Sequence, residues 1–544
     1  MKAFKIVAFA STLMLVVAAC SSDPGGATDP SDVGGATEEL VVDTPDPSGE
    51  IDNVVFALDY EPSSLDWVYA YNYGENTTLS NLCENLMRLT PDYKIVPGLA
   101  ESFEHPDDTT WVYTIRQGVL FHDGTEMTID DVVWSLERQL DPDVGSYYGS
   151  WLANVESIEK TGPWEVTVSM KRADVVFHQM MATPAGGIGD RESVEAAGAD
   201  YGTPDGGVNC TGPFKLASWD KGERFVLERF DDYWDTSLRP MAATIEIPFI
   251  SNEATITSAM IGGEIDGTFD VPPASIDQLQ QSDAGTLYFG PSMQTYNVII
   301  SSFEGALGDP RIRQALTLAL DREGIINAAL SGRAEPLKAI VPPSSWGYGE
   351  QVFQQGWDAL PAVERDLEAA MALVEEAGVP AEKIVLANLA EDEELLIIST
   401  ALQDAATQLG MELEIKTLPV GKYGPLFFDA KAREGIDMFL TGWYTDVPEP
   451  LNMYATIFTS DGGSNYNGYS NADYDRLVSD ALATDDLDVR AELINQAQAI
   501  SVEEAPWIPL YAPNVRLWLG ERITGAPASF VYLYYPWAAE IGAA

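Results

Sequence analysis

Apolar positions run almost unbroken at the start of the chain, from Ile6 to Ala10 and from Leu13 to Val17, after Lys2 and Lys5 and before Ala18, Ala19 and Cys20. A basic start, a short apolar stretch and small residues at the cut position predict a secretory signal peptide over 1–20. The stretch is too short to make a comfortable membrane span. Residues 21–50 lose the pattern: they hold Gly, Pro, Ser, Thr and acids with no Lys or Arg. That composition predicts a flexible acidic linker with a reach of about 30 Å. Patterning returns at Ile51, where IDNVVFAL predicts a strand over 51–58. A helix is expected over 77–86, and a hairpin-like pair over 111–116 and 119–124, with Asp123-Gly124 as a turn. Thr128 is placed to cap a helix whose first turn carries Asp130 and Asp131. Further strands are expected at 154–170, 213–218, 224–229 and 244–250.

From about residue 297 the rhythm becomes alternating. A strand at 296–300 precedes a helix at 310–321, then helix 362–377, strand 384–388, helix 393–409, strand 411–417, helix 422–433 and strand 436–442. Helices at 471–483 and 488–503 lead into apolar runs at 507–511 and 515–519. Strands and helices in alternation predict βαβ units on a sheet, hence an α/β fold.

Charge narrows the function. Thirty Lys and Arg against 85 Asp and Glu give −55 at pH 7. Such a surface repels phosphate backbones, so nucleic acid is excluded as a partner, and it is not held on anionic lipid by its own charge. Thirteen Trp and 23 Tyr supply large cores. With three His and three Cys, no zinc cluster is expected, and no cofactor. Val17-Ala18-Ala19-Cys20 looks like a bacterial lipobox, which makes Cys20 the lipidated N-terminus of an extracytoplasmic protein anchored to the cell membrane. Cys83 and Cys210 then remain as an even pair in an oxidising compartment, either bridged or as two separate buried thiols.

Catalytic patterns are missing. There is no Gly-x-Ser-x-Gly elbow, no phosphate-cradling Gly-Lys-Ser/Thr loop and no HExxH pair. His105, His122 and His178 are the only histidines, and His122 sits beside a turn in a structural position. The expectation is therefore a binding protein, not an enzyme. The rival from another class is a surface-tethered hydrolase with two cleft carboxylates, whose separation sequence does not give.

Four stretches carry a resemblance to the family 5 solute-binding proteins of ABC importers, the group of oligopeptide-, dipeptide- and nickel-binding lipoproteins. They are Leu99–Phe103 with 110–138; Thr211–Lys215 with Leu227–Arg229 and Asp232-Tyr233-Trp234; Asp309–Leu316 with Ala319–Arg322; and a C-terminal set. That set comprises 442–446 through Pro450, Gly468–Asn471 and Glu503–Tyr511. The resemblance runs in order over nearly all of 51–520. It implies a two-lobed periplasmic-binding-protein-like fold (type II, the large family 5 variant), with the ligand cleft between the lobes. Lobe I is expected at 51–84, 204–296 and 513–544, an extra subdomain at 85–203, and lobe II at 297–512. The implied function is capture of peptides as a monomer and delivery to the permease and ATPase subunits of an importer. A non-peptide solute, an oligosaccharide or a nickel chelate, is the alternative.

By the same resemblance Asp446 aligns with the acid that holds a peptide's α-ammonium. Trp443 and Tyr444 are candidate lining aromatics, and Tyr423 lies close to where relatives carry a pocket Trp. The loop Leu65-Asp66-Trp67 resembles one at the cleft rim and reads as structural. One departure stands out. Dipeptide-binding relatives place an Arg after the strand at 384–388, to pair with the ligand carboxylate; here that loop reads Leu389-Ala390-Glu391-Asp392-Glu393-Glu394 and holds no cation.

Overall fold

Strand Ile51–Ala57 pairs in parallel with Ala242–Pro248 on one side and Gly267–Thr268 on the other, and this trio seeds the first sheet. The computed structural model describes residues 40–390 and 392–544. The signal segment, Cys20, the linker up to residue 39 and Glu391 lie outside the described residues. In the first sheet the order is Gly285–Gly290, Val515–Gly520, Gly267–Thr268, Ile51–Ala57, Ala242–Pro248, Arg224–Arg229, Phe214–Asp220.

The second sheet has six strands, in the order Ala334–Pro336, Trp507–Pro513, Gln294–Ile300, Met438–Tyr444, Ile384–Leu389, Leu413–Leu418. Ile384–Leu389 is parallel to both of its neighbours, with helix Glu393–Gln408 as a crossover. A third, antiparallel sheet of Ala100–Asp107, Thr110–Ile115, Glu165–Met170 and Val155–Gly162 forms a separate layer. Its strand Thr110–Ile115 buries every second residue, as a sheet with one wet face requires. The chain crosses between the two large sheets twice, at 291–293 and at Asn514. Two lobes joined by two adjacent strands follow from that topology.

Motif residues explain themselves as structure. Thr128 and Asp131 form a reciprocal capping box on helix Ile129–Leu140. Tyr233 and Trp234 both donate to Glu84, at 2.9 and 2.6 Å, while Arg88 pairs with the same carboxylate at 2.9 Å. Asp66 accepts a two-pronged bond from Arg138, at 2.7 and 2.6 Å, which agrees with a structural role for the 65–67 loop. Arg313 is buried and gathers the carbonyls of Leu307, Glu504 and Ala505. A disulfide joins Cys83 to Cys210, with the Cα atoms 4.9 Å apart.

Four expectations need correction. The helix expected at 77–86 is Tyr73–Leu82: Asn72 caps it, and Cys83 is already extended. Residues 119–124 are not the hairpin partner of Thr110–Ile115, which pairs with Ala100–Asp107 and Glu165–Met170 instead. The helix expected over 422–433 breaks into Val420–Tyr423 and the short turns Gly424–Phe427 and Ala430–Arg433. Pro425 lacks the N–H donor that would continue it. Finally, the linker ends earlier than its composition implies. Val41 donates to Phe289, Ala528 donates to Val42, and the Thr44 hydroxyl donates to Ala526, so residues 40–50 lie along the first lobe. The apolar run Leu40-Val41-Val42 marks that change in the sequence.

Candidate functional site

Open α/β sheets hold ligands beyond the carboxyl ends of their parallel strands. Both parallel trios here direct those ends to the space between the lobes. From the second sheet, strand Met438–Tyr444 delivers Tyr444 and then Asp446, which is 5% exposed. The Tyr534 hydroxyl, from the other lobe, donates to Asp446 Oδ1 at 2.7 Å, and the Asp446 backbone N–H donates to Asn452 Oδ1 at 3.2 Å. Tyr147, Tyr148, Tyr444 and Tyr534 all stand close enough to feel the carboxylate's charge, which raises their hydroxyl pKa values on top of the effect of burial. Among the described residues no cation pairs with Asp446. Burial therefore pushes its pKa up to about 6, although hydrogen bonds from Tyr534 and Asn452 pull the other way.

The structure brings Tyr444 beside Asp446, while Trp443 and Tyr423 are held by other contacts. The Tyr444 hydroxyl reaches across to the Tyr71 carbonyl at 3.1 Å, and its ring meets Tyr73 edge-on at 5.4 Å. Trp443 points to the opposite face of the strand and packs edge-on against Trp507 at 5.7 Å. Tyr423 is buried, and its hydroxyl is taken up by Leu440, whose carbonyl accepts it at 2.7 Å and whose N–H donates to it at 2.9 Å.

Beyond Tyr73 lies a cavity of about 490 Å³ between the lobes. Asp59 and Asp270 enter from the first lobe, each two residues past a parallel strand, and the Asp59 N–H donates to Asp270 Oδ2 at 3.1 Å. Asp392 and Glu394 enter from the second, at the start of helix Glu393–Gln408, where Asp392 caps Leu395 and Glu394 accepts from Tyr511 at 2.6 Å. Burial raises the pKa of all four carboxyls; the charge of Asp59 raises Asp270 further, and that of Glu75 raises Asp59.

Arg516, two residues past the second crossing, also lines this cavity. The loop at 389–394 itself holds no cation, but the fold brings one to it from far downstream, where the Arg516 charge eases both Asp270 and Glu394. Asp59, Asp270, Tyr534 and Arg516 escape sequence reasoning because each is polar, isolated and far along the chain from Asp446. Only the strand ends before Asp59 and Asp270 mark them.

Among the described residues no group of three or more His, Cys, Asp or Glu converges to hold a metal ion, and no helix is long and apolar enough to cross a membrane.

Known proteins agree with this architecture. The family model "Bacterial extracellular solute-binding proteins, family 5 Middle" matches residues 94–465. The periplasmic oligopeptide-binding protein OppA of Salmonella typhimurium is 27% identical over 498 residues, covering 87% of this chain and 90% of its own. The glutathione-binding protein GsiB of Salmonella paratyphi A is also 27% identical, over 485 residues, covering 87% and 91%. Among solved structures, the periplasmic binding protein DppA of Helicobacter pylori, in complex with the peptide STSA, superposes with a TM-score of 0.79 at 21% identity, covering 91% of this chain and 98% of that one. The fold thus has its counterpart among solved structures, and the chain belongs to the bacterial extracellular solute-binding proteins of family 5.

Proposed function

We propose that the chain is the extracytoplasmic receptor of an ABC importer, capturing peptides between its lobes and handing them to the permease, with ATP hydrolysed by separate subunits. One observation carries this reading: Asp446 is a buried carboxylate ringed by tyrosines and, among the described residues, left without a cation. A ligand α-ammonium meets that need with a charge-assisted bond in a place closed to water, where such a bond is strongest. Tyr444 and Tyr534 are part of the same wall. The names of the relatives, an oligopeptide receptor and a glutathione receptor, favour the same ligand class.

In this reading the moving bodies are 51–84 with 204–296 and 513–544, carrying the subdomain 85–203, against 297–512. They turn about the crossings at 291–293 and Asn514 and close over the ligand. Calorimetric titration with short peptides tests the site. Asp446→Asn keeps the shape and removes the charge, and should cost about 2–4 kcal/mol, or roughly 30- to 1000-fold in affinity. Unchanged affinity would place the ligand elsewhere.

Cys20 is the proposed anchor, by diacylglyceryl modification of its thiol. Mass spectrometry of the mature chain should find an acylated Cys20 at its N-terminus. Cys20→Ala should leave unprocessed precursor or release the protein, and a mature, acylated Cys20→Ala chain would exclude the anchor.

A further inference from the structure

The cavity beyond Tyr73 is out of balance in charge. Asp59, Asp270, Asp392 and Glu394 face it from two lobes, and Glu253 and Glu393 add carboxylates on its exposed side. Against these six acids its wall carries, among the described residues, a single cation, Arg516. Two further groups are unfinished. Among the described residues Arg516 Nη1 is shut off from solvent without a hydrogen-bond partner. Tyr532 is 7% exposed, lines the cavity and lies flat on Phe269, with ring centres 4.1 Å apart; its hydroxyl feels the charges of Asp270 and Asp59 and has no hydrogen bond among the described residues. A buried donor left unpaired costs roughly 1–3 kcal/mol, so Arg516 Nη1 leaves the site short of a partner, and the Tyr532 hydroxyl is free to take one.

We propose that this chamber is the specificity pocket for a cationic side chain of the ligand, of the guanidinium or alkylammonium class. The proposal rests on the peptide reading above and adds which peptides are preferred. The acids are spread around a space of about 490 Å³ and do not converge on a point. That suits a broad organic cation with several N–H donors, and the volume lies within the usual range for small-ligand sites. Tyr296, Tyr532 and Phe269 give it aromatic walls, which favour such cations. Arg516 Nη1 offers a donor to an oxygen lying next to the cation. A basic amino-acid residue presents both features, a cation at its tip and a carbonyl or carboxylate oxygen on its backbone. Tyr73, on the chamber wall, meets Tyr444 of the Asp446 site edge to face, so the two sites are neighbours.

The test compares tripeptides that carry arginine or its neutral isostere citrulline at each position in turn, with agmatine as a non-peptide guanidinium probe, by calorimetry at fixed ionic strength. At one position the arginine peptide should bind at least about tenfold more tightly than its citrulline partner, as expected when a charged hydrogen bond replaces a neutral one. In Glu394→Gln and Asp270→Asn, which keep an acceptor oxygen, that ratio should collapse, with melting curves reporting whether each variant folds. Equal binding of arginine and citrulline peptides at every position would overturn the chamber and leave the peptide reading standing. Binding of agmatine with no binding of any tripeptide would retire the peptide reading and keep the chamber. Binding of neither would overturn both.

Discussion

Asp446 has opposite effects on the empty and the loaded protein. Without ligand its carboxyl is buried and its pKa is pushed up to about 6, so at pH 7 and above the folded chain holds a charge that it would rather hold protonated. Access to water between the lobes would have made a neutral replacement silent, but at 5% exposure the group is covered. The sign follows from proton counting. The folded state binds this proton below about pH 6 and the unfolded chain only below about pH 4, so the penalty is absent below pH 4 and complete above pH 6. Asp446→Asn should therefore raise the melting temperature of the ligand-free protein by a few degrees at pH 7.5 and leave it unchanged near pH 4. Scanning calorimetry at the two pH values checks this, and a loss of stability at pH 7.5 would mean that the Tyr534 bond outweighs desolvation. Binding shows the reverse slope. A cationic ligand needs Asp446 ionised, so affinity should fall about tenfold per unit as pH drops below 6.

At the scale of elements, the alternation of apolar and polar residues was enough for the sheets and most helices, because each buries one face and the period of burial survives in the sequence. Thr128 and the acids after it announced their helix, and the structure supplies the reciprocal bonds of a capping box. Where the pattern misled, a local polar or covalent constraint prevailed: Asn72 and the Cys83 bridge at Tyr73–Leu82, and Pro425 in the broken segment after Val420. The family motifs pointed mostly to structure, as with Arg313, Arg138 and the Tyr233-Trp234 pair on Glu84. Asp446 was legible because it follows a strand within such a motif. Tyr534 and Arg516 were not, since their partners are 88 residues away for Tyr534 and set by the register of Val515–Gly520 for Arg516.

At the scale of the whole molecule, closing the lobes works against the chain's own charge. With a net charge of −55, the protein carries self-repulsion everywhere, and the cleft concentrates it. Closure brings Asp59 and Asp270 of one lobe to Asp392 and Glu394 of the other, with Arg516 as the only cation on the cavity wall among the described residues. Favourable contacts oppose this: Tyr534 to Asp446 at 2.7 Å, Tyr444 to the Tyr71 carbonyl at 3.1 Å, and Gln179 to Glu449 at 3.1 Å. Which side prevails depends on screening, because the Debye length falls from about 30 Å at 0.01 M salt to about 3 Å at 1 M. In the absence of ligand, the radius of gyration from small-angle scattering should therefore shrink as sodium chloride rises over that range at pH 7. Acid should act in the same direction. The closed form holds these carboxyls with raised pKa values, so it binds more protons than an open form with ordinary ones, and lowering the pH favours closure, for Asp446 over the range from about pH 6 to about pH 4. A peptide bearing a cationic side chain should produce the compact form at low salt and neutral pH, by neutralising the same acids from within. A radius indifferent to salt, to pH and to such a peptide would mean that the lobes are held by their contacts alone and that the acids of the cleft do not govern its opening.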